Sequence, residues 1–300
     1  MPTRWVMHKF GGTSLADADG YRAVTSIIEG WEHPAQAVVV SASAGMTDDL
    51  IELVARAGRR DTTSEEFSER VRDRQVALVE ALLVDSAARH LVARVDEDLA
   101  DIKDVLRASR VMGAAVENAI GAVAGFGEVW SAQLLAGHLT SRGVSANWLD
   151  ARGVLVVSPG GTTPRVDWET SKANLDAWLA EDQHDVVVIT GFIASDGNGA
   201  PTTLGRNGSD YSASIFASLF DADELIMWTD VDGVMSADPR LVPQAKVLEE
   251  LSYDEAMELA YFGAKVLHPA TLSPAIRTGI PVTIRNTFNP SAPGSRISPS

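Results

Sequence analysis

The chain has 300 residues, of which 45% are hydrophobic and 22% charged, with a net charge of −16 and a pI near 4.7. That balance suits a folded protein of one large domain or two lobes sharing a sheet, and the excess of negative charge argues against nucleic acid and anionic membranes as partners. Having no cysteine, the chain has no disulfide, thiolate nucleophile or cysteine-bound zinc, which suits a reducing cytoplasm.

The first element is an apolar run, Trp5 to Phe10, that reads as a buried strand. It ends in Lys9-Phe10-Gly11-Gly12-Thr13-Ser14, and a helical pattern (Tyr21, Val24, Ile27, Ile28, Trp31) follows. Paired glycines at a strand-to-helix turn let the backbone come close to an anion. A lysine near the carboxyl end of the strand stands where open α/β sheets place their ligands. A surface lysine beside an ordinary turn gives the same pattern. Neither G-x-x-x-x-G-K-[ST] nor G-x-G-x-x-G occurs. Ala37 to Val40 is a second short strand, ending in the small-residue loop Ser41 to Thr47, and Asp48 to Arg59 reads as a helix.

Residues 61–108 are charge-rich and carry two successive helical patterns, with Thr63 and Glu66 spaced as a capping box. This predicts an inserted helical hairpin with solvated outer faces and no chemistry of its own. Gly125-Phe126-Gly127-Glu128 interrupts a small-residue helical stretch, and a helix runs on from about Val129 to Leu139. Strands are predicted at Val144 to Leu149, Leu155 to Val157 and Asp185 to Thr190, with a helix over Asp167 to Leu179 between the last two. A hairpin turns at Asp196-Gly197-Asn198-Gly199. Then come the loop Gly205-Arg206-Asn207-Gly208-Ser209-Asp210, an Ala/Ser-rich helix and a strand over Leu225 to Thr229. Ser252 and Glu255 cap a further helix, and Pro281 to Arg285 is the last predicted strand. From Asn289 the composition is that of a linker. Alternating strands and helices predict an α/β fold with a mostly parallel sheet. No uninterrupted apolar run is read as long enough to cross a bilayer.

Chemistry concentrates in a few places. The 205–210 loop supplies a guanidinium, a hydroxyl and a carboxylate at the mouth of a helix, which suits an acidic ligand or, more plainly, a helix cap by Ser209 or Asp210. Thr229-Asp230-Val231-Asp232-Gly233 follows a strand end, and the twelfth residue counted from Asp230 as the first is Leu241, not Glu, which excludes an EF-hand. Glu128 stands at a helix start, where it suits a substrate ammonium or the helix dipole. Lys265 is a lone lysine in an apolar setting, a phosphate ligand or a snorkelling side chain. The six histidines show no pair at metal-ligand spacing, and H-E-x-x-H, G-x-S-x-G and H-R-D are missing.

Taken together, Lys9 to Ser14, Val39 to Ser43, Gly127-Glu128, Gly205 to Ala213, Trp228 to Gly233, Asp238-Pro239-Arg240 and Gly263 to Pro269 come in an order that resembles the aspartate kinases. The Gly-Arg-Asn-Gly form of the 205–208 loop is similar to that of the bifunctional aspartokinase–homoserine dehydrogenases. The resemblance implies a three-layer α/β/α sandwich over residues 1–288. An N-terminal lobe of about 1–204 would take the amino acid and a C-terminal lobe of about 205–288 the nucleotide, leaving 289–300 as a linker-like tail.

It also implies phosphorylation of the β-carboxylate of L-aspartate by ATP, with Mg²⁺ carried on the nucleotide, at the entry to lysine, threonine and methionine synthesis. In that scheme Lys9 and Asp210 are catalytic, Asp210 orienting the lysine. Thr47, Glu128, Arg206 and Ser209 bind the substrate. Lys9, Gly11, Gly12 and Ser41 handle phosphate, and Thr229, Asp230, Met235, Arg240, Lys265 and Val266 bind the nucleotide. Met235 stands where many of these kinases carry a tyrosine, so a softer contact replaces stacking on adenine. The sequence ends before the regulatory region usual in these kinases, which predicts insensitivity to lysine and threonine. The helical hairpin and small-residue helices predict a homodimer, and the absence of cysteine fits the expected cytoplasmic location. The alternatives are a kinase of the same fold acting on glutamate, acetylglutamate or another acid, and a catalytically silent regulatory homologue.

Overall fold

Strand formation follows the β-branched runs. In the computed structural model, which describes residues 5–115, 117–159, 163–237, 241–261 and 269–299, the chain runs β1 (Val6–Phe10), α1 (Ala18–Glu29), β2 (Gln36–Val40), α2 (Met46–Gly58), α3 (Ser64–Leu82), α4 (Asp85–Met112), α5 (Glu117–Ala124) and α6 (Phe126–Ser141). It continues β3 (Ala146–Leu149), β4 (Val156–Ser158), β5 (Arg165–Val166), α7 (Trp168–Glu181), β6 (Val186–Thr190), β7 (Ile193–Asp196), β8 (Pro201–Thr203) and α8 (Gly208–Leu219). The last elements are β9 (Glu224–Thr229), β10 (Glu250–Ser252), α9 (Tyr253–Tyr261), α10 (Pro269–Thr278), β11 (Val282–Asn286) and β12 (Ser295–Ser298).

Among the described residues, eight strands form one sheet in the order β10-β12-β11-β9-β1-β2-β6-β3, and β5-β4-β7-β8 form a smaller one. From β11 to β3 every neighbouring pair is parallel; only β12 runs against β11. β1 pairs with β2 on one side, Lys9 opposite Val39, and with β9 on the other, Lys9 opposite Met227. Strands buried on both faces carry near-continuous apolar runs, and β1, β2 and β6 are buried at every position.

Side-chain alternation divides the core into layers. Met7, Ala37, Val39, Val187 and Leu225 pack with α8 and α10 on one face. Val6, Phe10, Val38, Val188 and Trp228 pack with α1 and α6 on the other. A third cluster lies among α2, α3, α4 and Trp130 of α6, away from the sheet. This is the α/β/α arrangement, and the predicted helical hairpin is α3–α4.

Several expectations are corrected. The tail is not a linker, since Ser295–Ser298 enters the sheet between β11 and β10 and the Ser295 hydroxyl accepts from the Val234 N–H at 2.7 Å. Strand pairing and a buried hydroxyl outweigh Pro/Ser/Gly composition here. Thr63 does not form a capping box: it is the N-cap residue of α3 without a side-chain cap bond, because its hydroxyl and N–H both donate to Asp61 Oδ1 at 2.8 Å. The Ser252–Glu255 box is present, with the Ser252 N–H and hydroxyl both donating to Glu255. Gly125 has helical dihedrals, so α5 runs almost straight into α6. By length and composition alone, Ala119–Ser141 therefore qualifies as a bilayer span, although 72% of its qualifying 18-residue window is buried inside the fold. That degree of burial is the property of a core helix.

Candidate active site

Because β1, β2, β6, β9 and β11 are parallel, their carboxyl ends share one edge of the sheet, the edge at which such folds bind ligands. It carries Gly11-Gly12, the Ser41–Gly45 loop, Gly191-Phe192, Thr229-Asp230 and Thr287. A cleft of about 670 Å³ opens there, lined by Gly12, Ser41, Thr47, Glu128, Arg206 and Ser209 among others. Six of the predicted residues thus share one cavity, although they lie up to 197 positions apart in sequence (12 to 209).

Lys9 sits beside this cleft. Its side chain points to the α8 face of the sheet, and Nζ lies 2.5 Å from the carboxylate of Asp210 in the first turn of α8. Lys9 is 9% exposed. The N-cap of α8 is Asn207, in the left-handed region at φ 57°, so neither Ser209 nor Asp210 has to cap the helix. Asp210 is spent on the lysine instead, and the Ser41 hydroxyl donates to Ser209 Oγ at 2.8 Å. This last contact ties the end of β2 to the start of α8 across the cleft floor.

Glu128 enters from the opposite wall. Two glycines let their segments approach Ala42 closely: a Cβ at position 127 would fall 2.8 Å from Ala42 Cβ, and one at position 12 would fall 3.0 Å from the Ala42 carbonyl oxygen. In the Gly-Phe-Gly-Glu run, Gly127 therefore serves close packing of α6 on the 41–45 loop, and Gly125 close packing on Ile193. It brings Glu128 Oε1 to 3.3 Å from the Ala42 N–H, which donates to it. Glu128 is 3% exposed, and its Oε2 is buried with no hydrogen-bond partner among the described residues. Burial pushes its carboxyl up to about 8, only partly offset by the backbone N–H bonds it accepts. A buried acid on the cleft wall, with one oxygen unpaired among the described residues, is a place for a cation. Arg206, exposed on the 205–208 turn, lines the same cleft, so one cavity offers both a carboxylate and a guanidinium.

The nucleotide-binding set is only partly within the described residues. Thr229 ends β9 and Asp230 follows it, next to the end of β1, and the Thr229 hydroxyl donates to Asp230 at 3.2 Å. Met235 makes an antiparallel bridge with Val247. Asp232 accepts from Asn286 Nδ2 at 2.8 Å and Asn289 Nδ2 at 3.1 Å. Arg240, Lys265 and Val266 lie outside the described residues. Sequence reasoning missed Phe192, Thr203 and Asn207 in the cleft lining. Phe192 has a positive φ of 66°, a conformation no sequence pattern announces for an aromatic residue.

A family model described as the amino acid kinase family matches residues 4–286. The chain belongs to the amino acid kinase family. Over 98% of its length it is 42% identical to a bifunctional aspartokinase/homoserine dehydrogenase, chloroplastic, of Daucus carota, covering 32% of that protein. It is 35% identical to lysine-sensitive aspartokinase 3 of Escherichia coli, with 97% of this chain and 64% of the relative covered. The crystal structure of E. coli aspartokinase III in complex with aspartate and ADP superposes with a TM-score of 0.86 at 34% identity, over 99% of this chain and 65% of that one. The chain thus spans about a third of the length of the bifunctional relatives and about two thirds of aspartokinase 3.

Proposed function

We propose that this member of the amino acid kinase family transfers the γ-phosphoryl group of ATP, as its magnesium complex, to the β-carboxylate of L-aspartate. The products are 4-phospho-L-aspartate and ADP, the entry to lysine, threonine and methionine synthesis. The observation that carries the reading is the pairing of a guanidinium (Arg206) with a buried, half-satisfied carboxylate (Glu128) in one cleft next to the Lys9–Asp210 pair. An amino acid needs such a pair, one group for its carboxylate and one for its ammonium. That a structural relative carries aspartate and ADP supports the same ligands here.

In this reading the Arg206 fork takes the α-carboxylate, as arginine does best. Glu128 takes the ammonium, and Thr47 and Ser209 add hydroxyl contacts. The β-carboxylate is already a nucleophile and needs no base. One of its oxygens forms a bond to the γ-phosphorus as the bond from that phosphorus to the bridging oxygen of ADP breaks. Charge on the equatorial oxygens is met by Lys9, held in place by Asp210, and the backbone of Gly11, Gly12 and Ser41 lines the phosphoryl path. Positioning and charge neutralisation supply the catalysis. Thr229, Asp230, Met235, Arg240, Lys265 and Val266 hold the nucleotide.

The test is substrate profiling by ADP release, with acyl phosphate trapped as a hydroxamate. L-Aspartate is expected to exceed L-glutamate and acetylglutamate in kcat/KM by at least ~100-fold, the scale set when buried polar groups are left unpaired by a wrong substrate. Preference for another acid, or ADP release without acyl phosphate, would sink the assignment.

A further inference from the structure

The Ser41–Gly45 loop forms one wall of the cleft, and four consecutive residues of it are held from four different elements. Ser41 donates to Ser209 of α8, and the Ala42 N–H donates to Glu128 of α6. The Ser43 hydroxyl meets the buried Tyr21 hydroxyl of α1 at 3.0 Å, which in turn meets Ser131 at 2.9 Å. The Ala44 carbonyl accepts from Nη2 of Arg74. Arg74 belongs to α3, in the hairpin for which the sequence offered no chemical role. Its Nη1 pairs with Asp49 Oδ2 at 2.7 Å, in the first turn of α2. One guanidinium therefore bridges the loop and the helix that begins where the loop ends. It also polarises the Ala44–Gly45 peptide, whose N–H belongs to cleft-lining Gly45.

We infer that Arg74 is a positioning residue for the acidic substrate: it fixes the 41–47 wall from outside the cleft and so sets affinity for the amino-acid substrate without touching it. The inference rests on the function proposed above, and it deepens it by giving the hairpin a part in substrate binding. A planar fork with two directed donors is required, since a lysine ammonium cannot hold both partners in the same geometry.

The experiment compares Arg74→Ala, Arg74→Lys and Asp49→Asn with the parent, using steady-state kinetics, thermal melting and hydrogen–deuterium exchange. Expected for Arg74→Ala are faster amide exchange confined to residues 41–49 and a KM for aspartate raised about tenfold, on the scale of one charge-assisted hydrogen bond. The kcat is expected to stay within about twofold, with KM for ATP unchanged. Arg74→Lys and Asp49→Asn are expected to fall between the alanine variant and the parent. Unchanged exchange at 41–49 would overturn the inference, and so would equal losses in both KM values and kcat tracking a lower melting temperature, the signature of a merely structural role. The exchange readout needs no substrate. A parent inactive toward aspartate yet showing the localised exchange change would defeat the proposed function while leaving the loop-fixing role standing.

Discussion

Replacing Lys9 with alanine is expected to lower kcat by at least ~100-fold, the scale of losing one well-placed electrostatic group at a reacting centre. Two effects act in the same direction. The variant loses the cation proposed to meet charge on the transferred phosphoryl, and it leaves Asp210 as an unpaired carboxylate where that cation stood 2.5 Å away. In a chain of net charge −16 the neighbouring field offers little compensation. Lys9→Arg is expected to recover little of the loss, because the Lys9 side chain is buried, at 9% exposure, with Nζ already against Asp210 at 2.5 Å, so a larger planar fork has to displace its neighbours. Steady-state kinetics with both substrates saturating makes the comparison, and a near-normal kcat for Lys9→Ala would remove this residue from the mechanism.

Glu128→Gln carries the second large effect, and its sign depends on pH. The folded-state carboxyl titrates at about 8 against an ordinary value of 4.5. Below 4.5 the acid is protonated in folded and unfolded chains alike, and the group contributes nothing to the pH dependence. Between 4.5 and about 8 the unfolded chain releases a proton that the folded one keeps, so stability falls as pH rises through this window and levels off above it. The neutral glutamine escapes that cost. Its melting temperature is expected to match the parent near pH 4.5 and to exceed it by roughly 5 °C at pH 8.5, for a cost on the order of 2 kcal/mol after allowing for relaxation. Activity should move the opposite way. An ammonium needs the ionised acid, so parental kcat/KM for aspartate is expected to climb with pH to about 8 and then level off. The glutamine variant should show a flat profile and a KM at least ~50-fold higher, as when one partner of a buried charge pair is removed. A variant that is no more stable at high pH, or that keeps the climbing profile, would contradict the account of Glu128.

The parallel sheet was legible because its central strands are buried on both faces and end in glycine or small and polar loop residues. Lys9, Glu128, Arg206 and Ser209 were legible because each sits beside glycines at a strand or helix end, where backbone approaches ligand. Other features had no local signature. Ser295–Ser298 reads as linker because its pairing partners, β10 and β11, supply the information that makes it a strand. Thr63 sits in a perfect capping spacing, and only the nearer Asp61 carboxylate diverts its hydroxyl. Arg74 is one arginine among many on a charged helix, and its importance comes from Ala44 and Asp49, which are 30 and 25 residues away. The cleft in which Glu128 and Arg206 meet is a property of tertiary packing, and the family resemblance, rather than residue spacing, put them in one list.

The most direct test is a crystal structure with L-aspartate and a non-hydrolysable ATP analogue bound. The α-carboxylate should lie on the Arg206 guanidinium and the ammonium on Glu128, with the β-carboxylate in line with the γ-phosphate beside Lys9 Nζ. Aspartate seated away from Glu128 and Arg206, or a γ-phosphate out of reach of Lys9, would contradict it.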